Sequence, residues 1–251
     1  MKRKKDAGSV GRLLQSARGV SEEKGFFQAV SYAVRTIGIH SASPFVCAFH
    51  RWLMPSEGFT FNGKRYRYFC HRYNTTWRNE RAVEVPIIRE MVDEHQGKRV
   101  LEVGNVLSHY FPVRHDILDK YEKASGVINR DVVGFRPRDK YDLIVSISTL
   151  EHVGRDEEVR DPEKILRAIE NLRKCLAPKG VMAVTLPLGY NRDMDEMLID
   201  GRLRFDEGHY MKRVPGSSRW EESSRSVVRD ADYDFIYNKA NGLVIGIMHR
   251  K

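Results

Sequence analysis

The chain has 251 residues, a net charge of +9, 41% hydrophobic and 31% charged residues. That is enough apolar material for one large α/β domain, or one domain with a long extension, and it excludes a disordered chain. The longest uncharged stretch, Thr36 to Phe49, is too short and polar to span a bilayer, and the basic start MKRKKDAGSV lacks the apolar core of a secretory signal.

Cys47, Cys70 and Cys175 are too few and too dispersed for a disulfide framework or a four-ligand zinc site. Reduced thiols, a cytoplasmic location and no metal are expected. The positive charge is uneven: residues 1–97 hold 16 Lys and Arg against 9 Asp and Glu, and the remainder is nearly neutral. A basic leader of this kind suits RNA, acidic lipid headgroups or a phosphate-bearing substrate, and equally serves as a solvated surface.

In chain order, Ser21 with Glu22 and Glu23 reads as a helix start, and Phe26, Phe27, Val30, Val34 and Ile37 recur at helical spacing. The run Phe59 to Phe69 alternates aromatic and polar residues around Asn62 and Gly63, which predicts a hairpin. A helical pattern follows from Thr76 to Gly97, kinked or restarted at Pro86. Residues 1–97 therefore read as a basic helical extension or lid with a small hairpin.

From residue 98 to 251 the pattern becomes strands alternating with helices, as in a parallel sheet. Strands are expected at Arg99 to Val103, His115 to Leu118, Gly126 to Ile128, Leu143 to Ile147 and Val181 to Leu186. A helix is expected over Asp161 to Leu176, with Ile165, Ile169, Leu172 and Leu176 on one face. Two closing strands, Tyr233 to Tyr237 and Leu243 to Met248, flank Asn241 and Gly242 and suggest a hairpin.

Three features carry chemistry. In VLEVGN, Val100 to Asn105, an apolar strand ends at Gly104, where the backbone can approach a ligand at the carboxyl edge of the sheet. Glu102 could hydrogen-bond a cationic or hydroxylated group there. Asp119 and Asp131 fall near the ends of the next two strands, where carboxylates suit ribose hydroxyls and an adenine amino group; each serves equally well as a surface or capping residue. In YDLIVSISTLEHVG, Tyr141 to Gly154, a buried strand runs into a polar cluster ending in Glu151 and His152.

Taken in order with LRKCLAPKGVMAVTLP, Leu172 to Pro187, this series resembles the motifs of class I S-adenosylmethionine-dependent methyltransferases over about 150 residues. The resemblance implies a Rossmann-like, doubly wound, mainly parallel seven-stranded sheet with an antiparallel final strand. It implies S-adenosylmethionine as cofactor, with Gly104 and Asn105 at its methionine part, Asp119 at the ribose, Asp131 and Val132 at the adenine, and Ser148 lining the pocket. The departure from the family is GNVLSHY, Gly104 to Tyr110, which lacks further glycines and leaves room only for a short first helix. That departure keeps open a cofactor-binding pseudoenzyme.

Methyl transfer needs positioning, and a general base when the acceptor is a hydroxyl. His152 is the candidate base; its alternative role is to brace the cofactor loop together with Glu151. His109 and Tyr110, and Tyr190 and Asn191, are candidates to face the acceptor. Trp77, Arg78 and Arg81 belong to the aromatic and ionic run HRYNTTWRNERAVEVP, which would cover the cofactor or its carboxylate, or else form an ion-paired helix against the sheet with Arg81 and Glu84 as neighbours. No N-P-P-Y sequence follows the fourth strand, which points away from exocyclic base amines and toward O-methylation. The expected acceptor is a small molecule or glycan, such as a lipid-linked or phosphorylated sugar, with peripheral membrane contact through the basic N-terminus. An RNA methyltransferase, suggested by KRYRYFCHRY, is the alternative.

Overall fold

The computed structural model describes residues 57–250 except residue 236. The helix expected over residues 21–37 and the basic leader lie outside the described residues. Residues 57–97 share one compact unit with the sheet that follows them.

The predicted hairpin forms: β1 (Gly58–Phe61) and β2 (Lys64–Arg67) pair antiparallel. Asn62 and Gly63 both have positive φ, 48° and 75°, which matches the twist of a two-residue hairpin turn. The aromatics of KRYRYF serve packing: Tyr66 and Tyr68 lie against Phe59, and the Tyr68 hydroxyl accepts the Trp220 N–H at 2.8 Å. A 3₁₀ stretch, Tyr73–Arg78, leads into α1 (Arg81–Glu94). Pro86 lies inside α1 and leaves the Ala82 carbonyl without its helical donor. The Phe69 N–H fills the place at 2.9 Å, so no second helix starts there.

The main sheet has eight strands in the order β5-β4-β3-β6-β7-β12-β8-β9. β3 (Val100–Val103), β4 (Asp116–Leu118), β5 (Val127–Ile128), β6 (Tyr141–Ile147) and β7 (Leu176–Pro187) run parallel; β12 (Gly242–His249) is antiparallel to β7 and to β8 (Glu207–Arg213). The doubly wound reading with an antiparallel end holds, but the partner of β12 differs from expectation. Tyr233 to Tyr237 is not that strand: only β10 (Tyr233–Asp234) forms, and it pairs with β11 (Lys239–Ala240) in a separate ladder. β8 takes the place beside β12 and β9 (Trp220–Ser223) extends the edge, giving eight strands where seven were expected.

Alternation on the strands sends side chains to two cores. Leu101, Ile144, Val184 and Val244 pack with Ile165, Ala168, Ile169 and Leu172 of α2 (Lys164–Cys175) and with Met194 and Leu198 of α3 (Arg192–Asp200). On the other face, Leu143, Val145 and Ile147 pack against Val85 and Ile88 of α1, while Leu243 and Ile245 meet Val83, Ile87 and the hairpin. A short α4 (Val227–Asp230) adds Val228 to the first of these cores. Cys175 is a buried free thiol whose pKa burial pushes up. Cys70 is disulfide-bonded, in place of the reduced thiol expected.

Candidate cofactor and acceptor site

The carboxyl ends of β3, β4 and β6 surround a cleft of about 730 Å³ at the switch point where strand order reverses, between β3 and β6. Gly104 (φ 86°), Asn105, Asp119, Asp131, Val132, Ser148 and His152 all line it, so the structure brings these seven candidates together. The Gly104 position has no room for a side chain: a Cβ there would lie 2.1 Å from Thr149 Oγ1. The expected short first helix is a single 3₁₀ turn, Leu107–His109.

Local hydrogen bonds fix this loop. Asp119 Oδ1 accepts the N–H groups of Tyr121 and Glu122, both at 2.8 Å, while Oδ2 has a longer contact, 3.4 Å, from the Asn105 N–H. The Asn105 amide donates to Glu122 and its oxygen accepts from Ser108. Glu102 is fully buried and does not line the cleft, which corrects its expected role as a ligand group. Its Oε1 accepts the Val106 and Leu107 N–H groups at 2.9 and 2.8 Å, and its Oε2 pairs with His115 Nε2 at 2.7 Å; both oxygens are used in holding the loop.

At the β5 side, Asp131 is ion-paired to Lys164 at 2.7 Å and Lys120 at 2.9 Å, and Glu157 joins the same lysines. Burial raises the Asp131 pKa, but the two lysines and the Val133 N–H outweigh it and hold the group at about 2. Among the described residues no cluster of metal-ligating type is found.

Behind β6 and β7 lies a buried ionic group in which the Arg81–Glu84 pair of the ion-paired-helix alternative is joined by side chains from the sheet. Glu84 Oε1 accepts hydroxyls from Ser148 at 2.5 Å and Thr185 at 2.6 Å, and its Oε2 pairs with Arg81 at 2.9 Å. The Ser148 hydroxyl is thus turned to Glu84, and Ser148 itself adopts φ 37°. Glu80 accepts the Ala240 N–H at 3.0 Å, and burial, reinforced by Glu84, pushes its pKa up to about 7. Arg81 is consumed here and is not free for a ligand carboxylate. The sequence signal was a carboxylate pair four residues apart, flanking an arginine, on a helix face that is otherwise apolar.

His152 ends the 3₁₀ turn Leu150–His152 after β6. Its Nδ1 lies 2.5 Å from Asp156 Oδ2, and Nε2 is 3.5 Å from Glu151 Oε1. The Tyr190 hydroxyl donates to the same Asp156 oxygen, and its ring meets the imidazole edge-on at 4.8 Å. Burial pushes the Tyr190 pKa up, with Asp156 adding to it. Asn191 is not available to an acceptor, contrary to expectation: its oxygen caps α3 by accepting the Met194 N–H, and its amide donates to the Glu151 carbonyl at 2.8 Å.

The other acceptor candidates stand outside the cleft lining. His109 stacks on Tyr73 at 4.6 Å and lies 3.5 Å from Glu122. Tyr110 packs its ring edge on Phe69, and burial pushes its pKa up to about 12. Trp77 is half-buried on the first 3₁₀ stretch, and Arg78 lies 5.2 Å over the Tyr237 ring.

Parallel strands ordered 3-2-1-4-5 with an antiparallel strand inserted beside the fifth, and a ligand-sized cleft at the switch point, define the Rossmann-like class I methyltransferase fold. No protein-family model and no curated protein matches the chain. Among solved structures, it is similar to the N-methyltransferase NodS from Bradyrhizobium japonicum WM9, with 15% identity and a TM-score of 0.42 over 68% of this chain and 96% of that one. The magnesium protoporphyrin IX methyltransferase ChlM from Synechocystis PCC 6803, with bound SAM, shows 12% identity and a TM-score of 0.37 over 72% and 81%. An S-adenosylmethionine-dependent methyltransferase from Clostridium acetobutylicum ATCC 824 shows 10% identity and a TM-score of 0.36 over 83% and 98%.

Proposed function

We propose that the protein is an S-adenosylmethionine-dependent methyltransferase acting on a hydroxyl of a small molecule or glycan. The observation that carries the reading is the cradle at Gly104, a left-handed residue at the end of β3 where a Cβ would strike Thr149, lining the same cleft as Asp119. These residues fit the cofactor. Gly104 and Asn105 would admit its methionine part, Asp119 keeps Oδ2 lightly engaged for a ribose hydroxyl, and Val132 offers an apolar wall to the adenine. Asp131, held by two lysines, would shape the adenine end through its loop.

When bound, the cofactor supplies an electrophilic methyl group. The chain supplies the base. With His152 Nδ1–H donating to Asp156, the tautomer leaves Nε2 unprotonated to take the proton of an acceptor hydroxyl. The same carboxylate holding Tyr190 stiffens the pair, the arrangement of a base oriented by a third group.

Calorimetric titration of the full chain with S-adenosylmethionine and S-adenosylhomocysteine tests this. Saturable micromolar binding is expected, weakened at least about tenfold in Asp119→Ala. Failure of both ligands to bind would overturn the reading.

A further inference from the structure

A second cavity lies beside the connection from β3 to β4. A crossover between parallel strands is usually helical, but residues 104–115 contain only the 3₁₀ turn Leu107–His109. Between this connection and the C-terminal end of α1 the cavity has a volume of about 440 Å³, which suits a small molecule. Val92, Val100, Leu107 and Val113 give it an apolar wall. Lys98 and Arg114 also line it, and both are exposed.

The charges on this wall do not balance. Among the described residues neither Lys98 nor Arg114 has an ion pair or a side-chain hydrogen bond. The other ionic groups that line the cavity are engaged within the protein: both Asp93 oxygens accept from Arg89 Nε, at 2.9 and 2.8 Å, and His115 is paired with Glu102 at 2.7 Å. Free carbonyls at a helix C-terminus repel anions, but here they have donors. His95 Nδ1–H donates to the Met91 carbonyl at 2.8 Å, and the His95 and Gln96 N–H groups donate to the Val92 and Asp93 carbonyls at 3.1 and 3.4 Å. Lys98 and Arg114 are therefore cations without a counter-charge, lining a cavity whose remaining surface is largely apolar.

We infer that this cavity is a second ligand site, for a phosphate monoester with a compact apolar body. The phosphate, with a charge of about −1.5 to −2 at neutral pH, meets Lys98 and the forked donors of Arg114, and the apolar body lies on the valine and leucine wall. Inorganic phosphate would leave that wall wet, a neutral ligand would leave the cations unpaired, and a long polyanion would reach the exposed cations without entering the cavity. The site does not depend on the methyltransferase reading. It shares no lining residue with the cofactor cleft: Gly104, Asn105 and Val106 line the cleft, and Leu107 lines the cavity.

Calorimetric and NMR titrations of the full chain with phenyl phosphate, hexyl phosphate, inorganic phosphate and benzyl alcohol provide the test. At least one organic phosphate is expected to bind saturably, with inorganic phosphate and benzyl alcohol each weaker by roughly tenfold. Changing both exposed cations, Lys98→Gln with Arg114→Gln, should weaken the organic phosphate roughly tenfold. Val113→Trp, which fills the cavity and keeps both cations, should weaken it by a similar factor. Absence of saturable binding by either organic phosphate overturns the site, as does an affinity that the double variant leaves unchanged. Inorganic phosphate binding as tightly as its esters, or full affinity in Val113→Trp, would reduce the site to a surface charge contact and overturn it too. Displacement of the phosphate by S-adenosylhomocysteine would place it in the cofactor cleft and likewise overturn the second site. Cation-dependent binding of an organic phosphate to a chain that binds no S-adenosylhomocysteine supports the site and removes only the methyltransferase reading.

Discussion

Replacing Gly104 with alanine tests whether the cleft is a cradle that only glycine can line. The new Cβ would lie 2.1 Å from Thr149 Oγ1, 2.7 Å from Cγ2 and 2.8 Å from Cβ. At φ 86° an L-residue carries a conformational penalty of about 1–2 kcal/mol. Thr149 cannot simply rotate away, because its hydroxyl donates to the Ile147 carbonyl at 3.0 Å; losing that bond costs about 1 kcal/mol. Its Cβ would still be too near, so backbone must shift, for about 1–3 kcal/mol more. The expected loss for Gly104→Ala is about 3–6 kcal/mol in urea unfolding. In a Thr149→Gly background only the φ penalty remains, so the double-mutant cycle should show a coupling of about 2 kcal/mol or more. A loss below about 1 kcal/mol, or additive effects, would refute the cradle.

Three further outcomes follow from the buried ionic groups. Glu84→Ala strands Arg81, Ser148 and Thr185 and should destabilise by about 3–5 kcal/mol; Glu84→Gln, which keeps an acceptor for the hydroxyls, should cost visibly less in the same unfolding assay. Glu102→Ala releases the Val106 and Leu107 N–H groups and His115, so S-adenosylhomocysteine affinity measured by calorimetry should fall about tenfold while the fold persists. Glu80, pushed by burial and Glu84 from 4.5 to about 7, and Asp195, pushed chiefly by burial from 3.8 to about 6, hold more protons folded than unfolded. Stability should therefore fall as pH rises through that window. Asp131, held at about 2 by its lysines against the effect of burial, acts in the opposite sense, its contribution being lost as pH drops below 3.8. The urea midpoint should accordingly peak near pH 4–5, and Glu80→Gln should flatten its decline toward neutrality; a midpoint that rises from pH 5 to 7 would contradict the assignment.

What the sequence made legible was whatever repeats locally. β6 and β7 carry the apolar runs Leu143 to Val145 and Val181 to Val184, α2 carries its apolar residues at helical spacing, and Asn62–Gly63 states its turn directly. Gly104 and Asp119 were singled out because strand ends are where such sheets bind ligands, and Ser148 because the family resemblance implies it. β8 was not found, since EGHYMKR has only Met211 fully buried and owes its conformation to the ladder with β12. Tyr233 to Tyr237 looked more strand-like, yet its aromatics serve the Tyr190 cluster and it pairs over only two residues. Of the Glu84 network only the local Arg81 pair was legible, because its other partners Ser148 and Thr185 lie 64 and 101 positions away. Glu102 illustrates the converse error: the position was found, but a carboxylate beside a glycine turn also serves the turn itself.

The insertion of β12 between β7 and β8 bears on how the molecule assembles. Among the described strands β8 has ladders only with β12 and β9, and β9 only with β8, so during synthesis neither joins the sheet of the parallel half until residues 242–249 have been made. The parallel half must likewise wait with one edge of β7 unpaired, a sticky intermediate of the kind that chaperones shield. Lesions in this one segment should therefore appear as failures of folding yield before they appear as losses of stability in the finished protein.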